Sequence, residues 1–326
     1  MKILLVGGAG YIGSHTYRLL LDRGHDVLVY DNLSSGHRCV ISPPHLVVGD
    51  LADQHLLDHT VLSNRIEAVV HFAAHAQVGE SVTHPSKYYR NNVVNSIQLL
   101  ECLRKNGVPR LVFSSSAAVY GNPQQEIIDE NHPKLPINPY GRTKWMIEQV
   151  MADYAEAYGL SCTALRYFNA AGAASDGTIG EDHTPETHLI PLAIQAALGV
   201  RPELAIFGED YPTPDGTCIR DFIHVTDLAL AHALALEDPT PGYRAFNLGN
   251  GHGFSVKEIV QAVERISGKT VPVRLAARRP GDPPRLVASS EQIRQHLGWQ
   301  ASFPTLDAII SSAWQWHSSH PQGYGG

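Results

Sequence analysis

The sequence predicts an α/β protein built on a doubly wound parallel sheet. In the first half of the chain, short runs of Val, Ile and Leu alternate with amphipathic stretches that repeat with the period of a helix. The runs are apolar throughout, which indicates strands buried on both faces. After about Phe168 the chain becomes irregular and rich in Gly, Pro and Asp. We therefore predict a larger domain over residues 1–168 and a smaller, mixed α/β domain over residues 169–326, with some elements returning to the first domain.

Strands and helices are expected to alternate along the first domain, which would place helices on both faces of the sheet. Gly24 and Gly107 stand where a glycine commonly ends a helix, and Pro139 stands in a first turn that tolerates a missing N–H. The predicted strands are Ile3–Val6, Asp26–Tyr30, Leu46–Val48, Ala68–Phe72, Leu111–Ser114 and Cys162–Leu165. The predicted helices are Tyr11–Asp22, Gln54–Leu62, Pro85–Lys105 and Pro139–Tyr158.

Composition narrows the classes of protein and partner. Of 326 residues, 43% are hydrophobic and 17% charged, so the chain is too apolar for a disordered protein. The formal net charge is -7 and the sequence contains no Lys/Arg run, which argues against a surface for nucleic acid or anionic membrane. No apolar stretch approaches the ~20 residues that a membrane helix needs. We predict no nucleic-acid partner and no membrane partner.

Cysteine usage indicates a reducing compartment. Cys39, Cys102, Cys162 and Cys218 lie far apart and form no C-x-x-C pair, so neither a disulfide framework nor a zinc ribbon is indicated. The apolar run that ends at Gly7 is too short for a secretory signal. We therefore expect a cytoplasmic protein.

Eighteen histidines raise the question of a metal site. The segment His183-Thr-Pro-Glu-Thr-His188 carries two of them, but their spacing does not place both rings on one helical face. Pro185 interrupts the segment, and the order H-E-x-x-H is absent. The prediction from sequence is that the protein has no metal site.

A glycine-rich turn follows the first predicted strand and opens the first predicted helix. Its sequence is Gly7-Gly-Ala-Gly10-Tyr11-Ile12-Gly13. Gly7 permits a tight turn, Gly10 removes the Cβ that would hold a pyrophosphate off the backbone, and Gly13 allows the helix to approach the strand closely. The helix N-terminus then faces the phosphates of a dinucleotide.

Asp31, at the end of the second predicted strand, selects the dinucleotide. Its carboxylate is placed to accept hydrogen bonds from the adenine ribose hydroxyls and would repel a 2′-phosphate, so NAD is favoured over NADP. Asp50 and Leu51, after the third strand, are weaker candidates for the adenine edge. The remaining candidate cofactor contacts are Asn32, next to Asp31, and Phe72, Ala73 and Ala74, which follow the fourth strand.

Tyr140 and Lys144 form a candidate acid–base pair at the start of a predicted helix. A separation of four residues places both side chains on one helical face. An ammonium group beside a phenol stabilises the phenolate, so we expect the pKa of Tyr140 to fall from about 10, and a nearby nicotinamide cation would act in the same direction. Ser116 follows the strand that ends at Ser114, at the edge where parallel sheets hold ligands. Its hydroxyl would relay a proton or bond the substrate oxygen.

These features, in this chain order, resemble the extended short-chain dehydrogenase/reductase family. The resemblance implies a Rossmann-type sheet, bound NAD and a catalytic set of Ser116, Tyr140 and Lys144. It covers essentially the whole chain and is closest to the UDP-glucose (UDP-galactose) 4-epimerases. The matching stretches are Val78–Ser81, Phe113–Gly121, Leu165–Asn169, Ile206–Thr217, Arg220–Ala229 and His320–Tyr324.

The resemblance also implies where a UDP-hexose would be held. Arg220 and Arg279 suit a diphosphate, because a guanidinium fork binds two oxygens at once. Tyr167 and Phe168 would flank the nicotinamide, and helices near residues 85–105 and 139–158 would form a homodimer. Besides Ser116 and Tyr140, the implied substrate contacts are Phe168, Asn169, His188, Leu189, Phe207, Arg220, Arg279, Asp282 and Leu286.

The resemblance implies interconversion of UDP-glucose and UDP-galactose through a 4-keto sugar. Sugar-nucleotide dehydratases of this family carry an acid after the catalytic Ser or Thr, where this chain has Ala117 and Ala118, so loss of water has no evident proton donor. Some 4-epimerases have Tyr where this chain has Leu286, which predicts room for the N-acetyl group of UDP-GlcNAc. A UDP-pentose 4-epimerase, a net UDP-sugar dehydrogenase and a non-catalytic NAD-binding regulator are the alternatives.

Overall fold

A computed structural model of the chain describes residues 1–279 and 282–325. A seven-stranded sheet forms the larger part, in the strand order β11-β6-β5-β4-β1-β2-β3. All of its neighbouring strands pair in parallel. Its strands are β1 (Lys2–Val6), β2 (Asp26–Asp31), β3 (Leu46–Val48), β4 (Ala68–His71), β5 (Arg110–Ser114), β6 (Ser161–Tyr167) and β11 (Gly242–Leu248).

Helices cover both faces of this sheet because its strands are apolar on both faces. On one face, α1 (Tyr11–Asp22) and α8 (Val225–Glu237) pack together over one buried apolar cluster. On the other face, α2 (Gln54–Ser63), α5 (Asn95–Lys105) and α6 (Pro139–Tyr158) cover a second cluster. Read from the β3 edge, the strand order is 3-2-1-4-5-6-11. Its first six positions are those of the dinucleotide-binding fold. The predicted fold class is confirmed.

The predicted helix over Pro85–Lys105 is divided into three helical stretches and is not one regular α-helix. After two short helices, α3 (Val78–Thr83) and α4 (Pro85–Tyr88), residues Tyr89–Val94 form a π-helical stretch before α5 begins. The fully buried Asn92 lies in this stretch, accepting the His75 N–H at 2.9 Å and donating to the His75 carbonyl oxygen at 3.0 Å. These two bonds attach the widened turn to the segment that follows β4, a tertiary contact that helical periodicity does not encode.

The chain after residue 168 forms three small sheets and a separate apolar core. Its β7 (Asn169–Ala171) pairs with β10 (Phe222–His224), and β8 (Leu204–Phe207) pairs with β13 (Val273–Ala276). The third sheet joins β9 (Ile219–Arg220) to β12 (Phe254–Ser255) and β14 (Arg285–Leu286). The helices of this part are α7 (Leu189–Ala197), α9 (Val256–Ser267), α10 (Glu291–Leu297) and α11 (Leu306–Ser319).

The two parts of the chain are interwoven. After β10, the chain returns through α8 to β11, which pairs with β6 at the edge of the large sheet. The small sheets lie at the carboxyl ends of the large sheet's strands, because β7 begins two residues after β6 ends. The domain boundary at residue 168 stays a prediction. Across the described residues, no helix is both long and apolar enough to span a bilayer.

Candidate active site

The glycine turn is shaped by close backbone contacts. Gly7 has a φ of 78°, and a Cβ there would lie 2.5 Å from the Ala73 backbone nitrogen. A Cβ on Gly13 would lie 2.6 Å from the Gly7 carbonyl oxygen, so this glycine lets α1 approach the turn itself rather than the strand. At Gly10, by contrast, the nearest atom to an added Cβ is the Gly7 carbonyl oxygen at 3.6 Å. The fold therefore requires Gly7 and Gly13, whereas the space at Gly10 remains open in front of α1.

Asp31 is buried behind this turn and braces it. One carboxylate oxygen accepts the Ala9 N–H at 2.9 Å and the other accepts the Leu33 N–H at 2.8 Å. Burial raises the pKa of Asp31, and these two hydrogen bonds lower it in part. The Asp31 carboxylate therefore holds the glycine turn in place, and its contact with ribose stays a prediction.

The other candidate cofactor residues lie along the same edge of the sheet. Asn32 donates to the Asp50 carboxylate at 2.7 Å, which joins the ends of β2 and β3, and Leu51 is buried beside them. The N–H groups of Phe72 and Ala73 both donate to the Val6 carbonyl oxygen, so this segment lies against the glycine turn. The other half-buried candidate positions on this edge are Tyr11, Ile12 and Ala74.

Tyr140 is held at the start of α6 by capping and by a close backbone contact. The Asn138 side chain caps the helix by accepting the Gly141 N–H at 2.8 Å. A Cβ on Gly141 would lie 2.5 Å from the Ala118 carbonyl oxygen. The first turn of α6 is therefore pressed against the short helical turn that follows Ser116. Ser116 in turn accepts the Ala118 N–H at 3.1 Å.

Lys144 lies one helical turn after Tyr140 and is fully enclosed. Its Nζ donates to the Ser114 carbonyl oxygen at 2.7 Å and lies 5.8 Å from the centre of the Tyr140 ring. Burial lowers the pKa of Lys144 to about 7, although Glu148, one further turn along α6, raises it in part. The lysine is thus anchored to the end of β5 rather than to the phenol.

The expected fall in the pKa of Tyr140 was wrong for the protein chain taken alone. Burial raises this pKa above its ordinary value, and a hydrogen-bonding contribution from Ser116 lowers it only in part. Lys144 does not offset the burial, because its own charge is weakened and its Nζ lies 5.8 Å from the ring centre. The sequence predicted that Lys144 and a nicotinamide cation would lower the pKa of Tyr140. Lys144 alone is therefore not enough to lower it.

Sequence reasoning missed a buried polar network behind these residues. The fully buried Glu148 forms an ion pair with Arg166, accepts the Tyr243 hydroxyl at 2.7 Å and bonds the Ser115 hydroxyl. Arg166 also donates to the Tyr120 hydroxyl at 2.8 Å. The spacing of Tyr140, Lys144 and Glu148, each one turn apart, was the available signal. The network fixes the central part of α6 against β5, β6 and β11.

The candidate substrate residues cluster beyond β6. Asn169 donates to the Asp221 carbonyl oxygen at 2.8 Å, and Arg220 forms an ion pair with Asp282. The Arg279 guanidinium lies over the Phe207 ring, 4.0 Å from its centre, which is a cation–π distance. Phe168 and Leu286, two further candidates, pack against a small apolar cluster that includes Ala117, the residue after Ser116. Tyr167 bonds the Ser114 hydroxyl.

His188 and Leu189 lie where the chain enters α7. Leu189 packs against the apolar clusters around α7 and β8, and His188 forms a hydrogen bond with Glu181. Although burial lowers the pKa of His183, hydrogen bonds to Glu181 and Glu186 raise it to about 10. His183 and His188 do not share a helical face, but the loop before α7 brings them together with Glu181 and Glu186. The absence of a metal site stays a prediction.

The family model described as the NAD dependent epimerase/dehydratase family matches residues 3–249, which is most of the chain. The chain belongs to the NAD dependent epimerase/dehydratase family. Membership confirms the family and the NAD dependence that the sequence predicted.

Relatives within the NAD dependent epimerase/dehydratase family match along the whole chain. A UDP-glucose 4-epimerase of Halalkalibacterium halodurans is 51% identical and covers 99% of this chain and 98% of its own length. The crystal structure of a UDP-glucose 4-epimerase from Brucella ovis in complex with NAD is 52% identical, with a TM-score of 0.94 over 96% of this chain and 97% of that one. The UDP-Glc/GlcNAc 4-epimerase of Campylobacter jejuni is 44% identical, with a TM-score of 0.85 over 98% and 99%. The predicted relationship to UDP-glucose 4-epimerases is confirmed.

Proposed function

We propose that this chain interconverts UDP-glucose and UDP-galactose by reversible oxidation at C4, with NAD bound throughout turnover. The observation that carries this proposal is the position of Tyr140 beside Ser116. Ser116 follows the carboxyl end of β5, and Tyr140 on α6 faces it. The glycine turn follows β1, a strand of the same sheet. A proton-transfer pair and a dinucleotide cradle therefore share one edge, and relatives at about half identity carry this activity in their names.

The residues at the glycine turn fit NAD. A Cβ at Gly10 would make only an ordinary contact, 3.6 Å from the Gly7 carbonyl oxygen, and would otherwise enter the space in front of α1. That space adjoins the N–H groups of the first turn of α1, which suits a pyrophosphate. The groups proposed to hold NAD are Gly7, Gly10, Tyr11, Ile12, Gly13, Asp31, Asn32, Asp50, Leu51, Phe72, Ala73, Ala74, Tyr140, Lys144 and Tyr167. Bound NAD supplies reversible hydride acceptance and a positive charge at the nicotinamide ring.

Tyr140 is proposed to exchange the proton of the sugar's C4 hydroxyl. Its phenolate removes this proton when C4 is oxidised to a ketone and returns it when C4 is reduced on the opposite face. Ser116 bonds the same sugar oxygen, and Lys144 together with the nicotinamide charge favours the phenolate against the effect of burial. Arg220 and Arg279 hold the diphosphate, so the keto sugar turns about its phosphate linkage while UDP stays bound.

The proposal is tested by incubating the purified protein with UDP-galactose and no added cofactor, then separating the products. We expect an equilibrium mixture of UDP-glucose and UDP-galactose and no accumulation of NADH. Stoichiometric NADH would identify a net dehydrogenase, and turnover of UDP-pentoses alone would identify a pentose epimerase. NAD bound without any turnover would identify a non-catalytic regulator. Each of these three results contradicts the proposal.

A broader substrate range is proposed on the basis of Leu286. This half-buried residue lies on β14, paired in register with Arg220, and belongs to the apolar cluster that includes Phe168 and Ala117. A leucine leaves more room than a tyrosine for an N-acetyl group at C2 of the sugar. The Campylobacter jejuni relative is named as an enzyme for both UDP-Glc and UDP-GlcNAc. We expect Leu286→Tyr to lose turnover of UDP-GlcNAc selectively; an unchanged ratio of the two activities would refute the broader range.

A homodimer through the helices near residues 85–105 and 139–158 is also proposed. Large apolar side chains are exposed on this surface, with Val94 48%, Met146 41% and Tyr158 52% exposed. Light scattering should give about twice the chain mass of 35.6 kDa. Met146→Glu should shift the protein toward the monomer, whereas the control Leu62→Glu, on the exposed face of α2, should not. A monomeric wild type would refute the dimer.

We propose a cytoplasmic location on the basis of the cysteines. Cys102, Cys162 and Cys218 are buried as free thiols, and Cys39 is an exposed free thiol. Free thiols persist in a reducing compartment. Fractionation of the source cells should recover the activity with cytoplasmic markers, and recovery with secreted proteins would contradict the proposal.

A further inference from the structure

Four metal-ligating side chains lie together in the segment before α7. Glu181, His183, Glu186 and His188 each offer one ligand atom, and these atoms all lie within 4.8 Å of one another. His183 Nδ1 lies 3.3 Å from Glu181 Oε1 and 3.7 Å from Glu186 Oε2, and His188 Nδ1 lies 3.9 Å from Glu186 Oε1. Ligands about 2.0 Å from a tetrahedral zinc ion are about 3.3 Å apart. These three separations equal or slightly exceed that value, and the direct hydrogen bond between His188 and Glu181 would open to admit the ion.

The charges at this point favour a cation. The side chains of Glu181 and Glu186 are only 3% and 8% exposed. Within residues 1–279 and 282–325, both carboxylates pair with His183 and His188, and neither pairs with Lys or Arg. Two buried carboxylates are costly unless their charge is neutralised. A divalent cation supplies the matching charge, and it allows both imidazoles to act as neutral ligands.

Backbone donors hold the Glu186 carboxylate in place, and a ring donor holds the backbone at Glu181. The N–H groups of Thr187 and His188 donate to Glu186 Oε1 at 2.6 and 2.8 Å. Trp316 Nε1 donates to the carbonyl oxygen of Glu181 at 3.2 Å. Outer contacts of this kind orient metal ligands and raise affinity. The ligand positions are therefore set largely by the fold.

We propose that Glu181, His183, Glu186 and His188 bind one divalent transition-metal ion, and that zinc is the ion that matches them best. Zinc accepts both imidazole nitrogen and carboxylate oxygen, and four protein ligands complete a closed tetrahedral site of the structural kind. A pocket lined by Glu181, His183 and Glu186 connects the cluster with solvent. The ion would cross-link residues 181–188. This segment lies beside the glycine turn, since the ring centres of His183 and Tyr11 are 6.2 Å apart.

The test uses untagged full-length protein with its cofactor bound. The protein is stripped with a chelator, incubated with zinc chloride and desalted, and its metal content is measured by mass spectrometry. We expect about one zinc ion per chain in the wild type and far less in Glu181→Gln. The matched control is His59→Ala, which removes an exposed histidine from α2 and should keep the wild-type content.

A second variant guards against loss of the fold. The His188 side chain is 52% exposed, so His188→Gln should fold and yet weaken zinc binding roughly tenfold or more. Zinc should raise the melting temperature of the stripped wild type and of His59→Ala, but not of the two ligand variants, because only a folded site binds the ion. The proposal is overturned if wild type that has been stripped, incubated with zinc and desalted retains well under one zinc ion per chain. Equal zinc retention by wild type and both ligand variants, or melting that zinc leaves unchanged, also overturns it and leaves a plain ion-pair cluster.

Discussion

Lys144 Nζ donates a hydrogen bond of 2.7 Å to the carbonyl oxygen of Ser114, the last residue of β5. This bond fixes the lysine at the carboxyl edge of the sheet, 5.8 Å from the centre of the Tyr140 ring. Because burial lowers the lysine pKa to about 7, the bond does not keep the side chain fully charged at neutral pH. The acid–base chemistry at Tyr140 therefore depends on both the lysine and the charge that NAD brings.

The buried lysine gives the stability of the protein a specific pH dependence. Its pKa is about 7 in the folded chain and about 10.4 when unfolded, so the unfolded state binds more protons between these values. The unfolding free energy of the wild type should therefore rise with pH above 7, relative to Lys144→Met, by about 1.4 kcal/mol per pH unit. Urea unfolding of both proteins at several pH values from 7 to 9 measures this difference. Parallel curves would show that the lysine does not titrate in this range.

Removal of one partner from the buried Glu148–Arg166 pair should strongly destabilise the fold. Glu148→Gln would leave the Arg166 guanidinium, whose side chain is 3% exposed, without its counter-ion. We expect a loss of about 3 kcal/mol in unfolding free energy. Glu291→Gln, which removes a carboxylate that is 60% exposed, is the control and should change stability by less than about 1 kcal/mol. Similar losses in the two variants would contradict the assigned role of burial.

Asp31 should influence both NAD affinity and the glycine turn. Asp31→Asn replaces one of two oxygens that accept the N–H groups of Ala9 and Leu33. We expect NAD to bind roughly tenfold or more weakly, since about 1.4 kcal/mol corresponds to a factor of ten. The control is Asp26→Asn, at the exposed start of the same strand. Calorimetric titration of protein freed of NAD measures the difference, and equal affinities would remove Asp31 from the cofactor site.

Variants of two neighbouring arginines, Arg278 and Arg279, distinguish a diphosphate contact from a surface ion pair. Arg279 lies over the Phe207 ring, whereas Arg278 lies over the Tyr211 ring and pairs with Asp210. We expect Arg279→Ala to raise the KM for UDP-galactose roughly tenfold or more, since a charged hydrogen bond contributes about 1.5–3 kcal/mol. Arg278→Ala should leave the KM within about threefold of the wild-type value. Equal effects on KM would argue against an anion site at Arg279.

Local signals were sufficient to predict the first strand, the glycine turn and the first helix. The predicted bounds of α1, Tyr11–Asp22, coincide with those in the structure, because the turn and the strand before it define where the helix starts. Gly24 and Gly107 have φ values of 80° and 67°, as expected for glycines that end helices. The order of Ser116, Tyr140 and Lys144 along the chain likewise predicted their approach at one edge of the sheet.

Other features depend on contacts between distant residues and were not predictable from local pattern. The π-helical turn at Tyr89–Val94 depends on the bonds of Asn92 to His75, which lies before α3. The pairing of β11 with β6 follows a long excursion of the chain through the second part. Spacing could predict that Tyr140 and Lys144 share a helical face, but their pKa values depend on burial by other elements.

The histidine–glutamate cluster shows the limit of spacing arguments in loops. His183 and His188 are not on one helical face, and this was one of three reasons for predicting no metal site. The loop instead turns so that their ring centres lie 5.4 Å apart, and the ligand atoms of both histidines, Glu181 and Glu186 lie within 4.8 Å of one another. A loop's path depends on its tertiary contacts, here including the bond from Trp316 on α11.

The central claim is that the phenol of Tyr140 carries the proton of the C4 hydroxyl, and Tyr140→Phe tests it most directly. Removal of this hydroxyl should lower kcat for UDP-galactose by roughly a thousandfold, within the range of general acid–base catalysis, while NAD and UDP binding stay close to wild type. The measurement is single-turnover conversion by protein with NAD bound, alongside calorimetric titration with UDP. A variant with wild-type kcat would contradict the account.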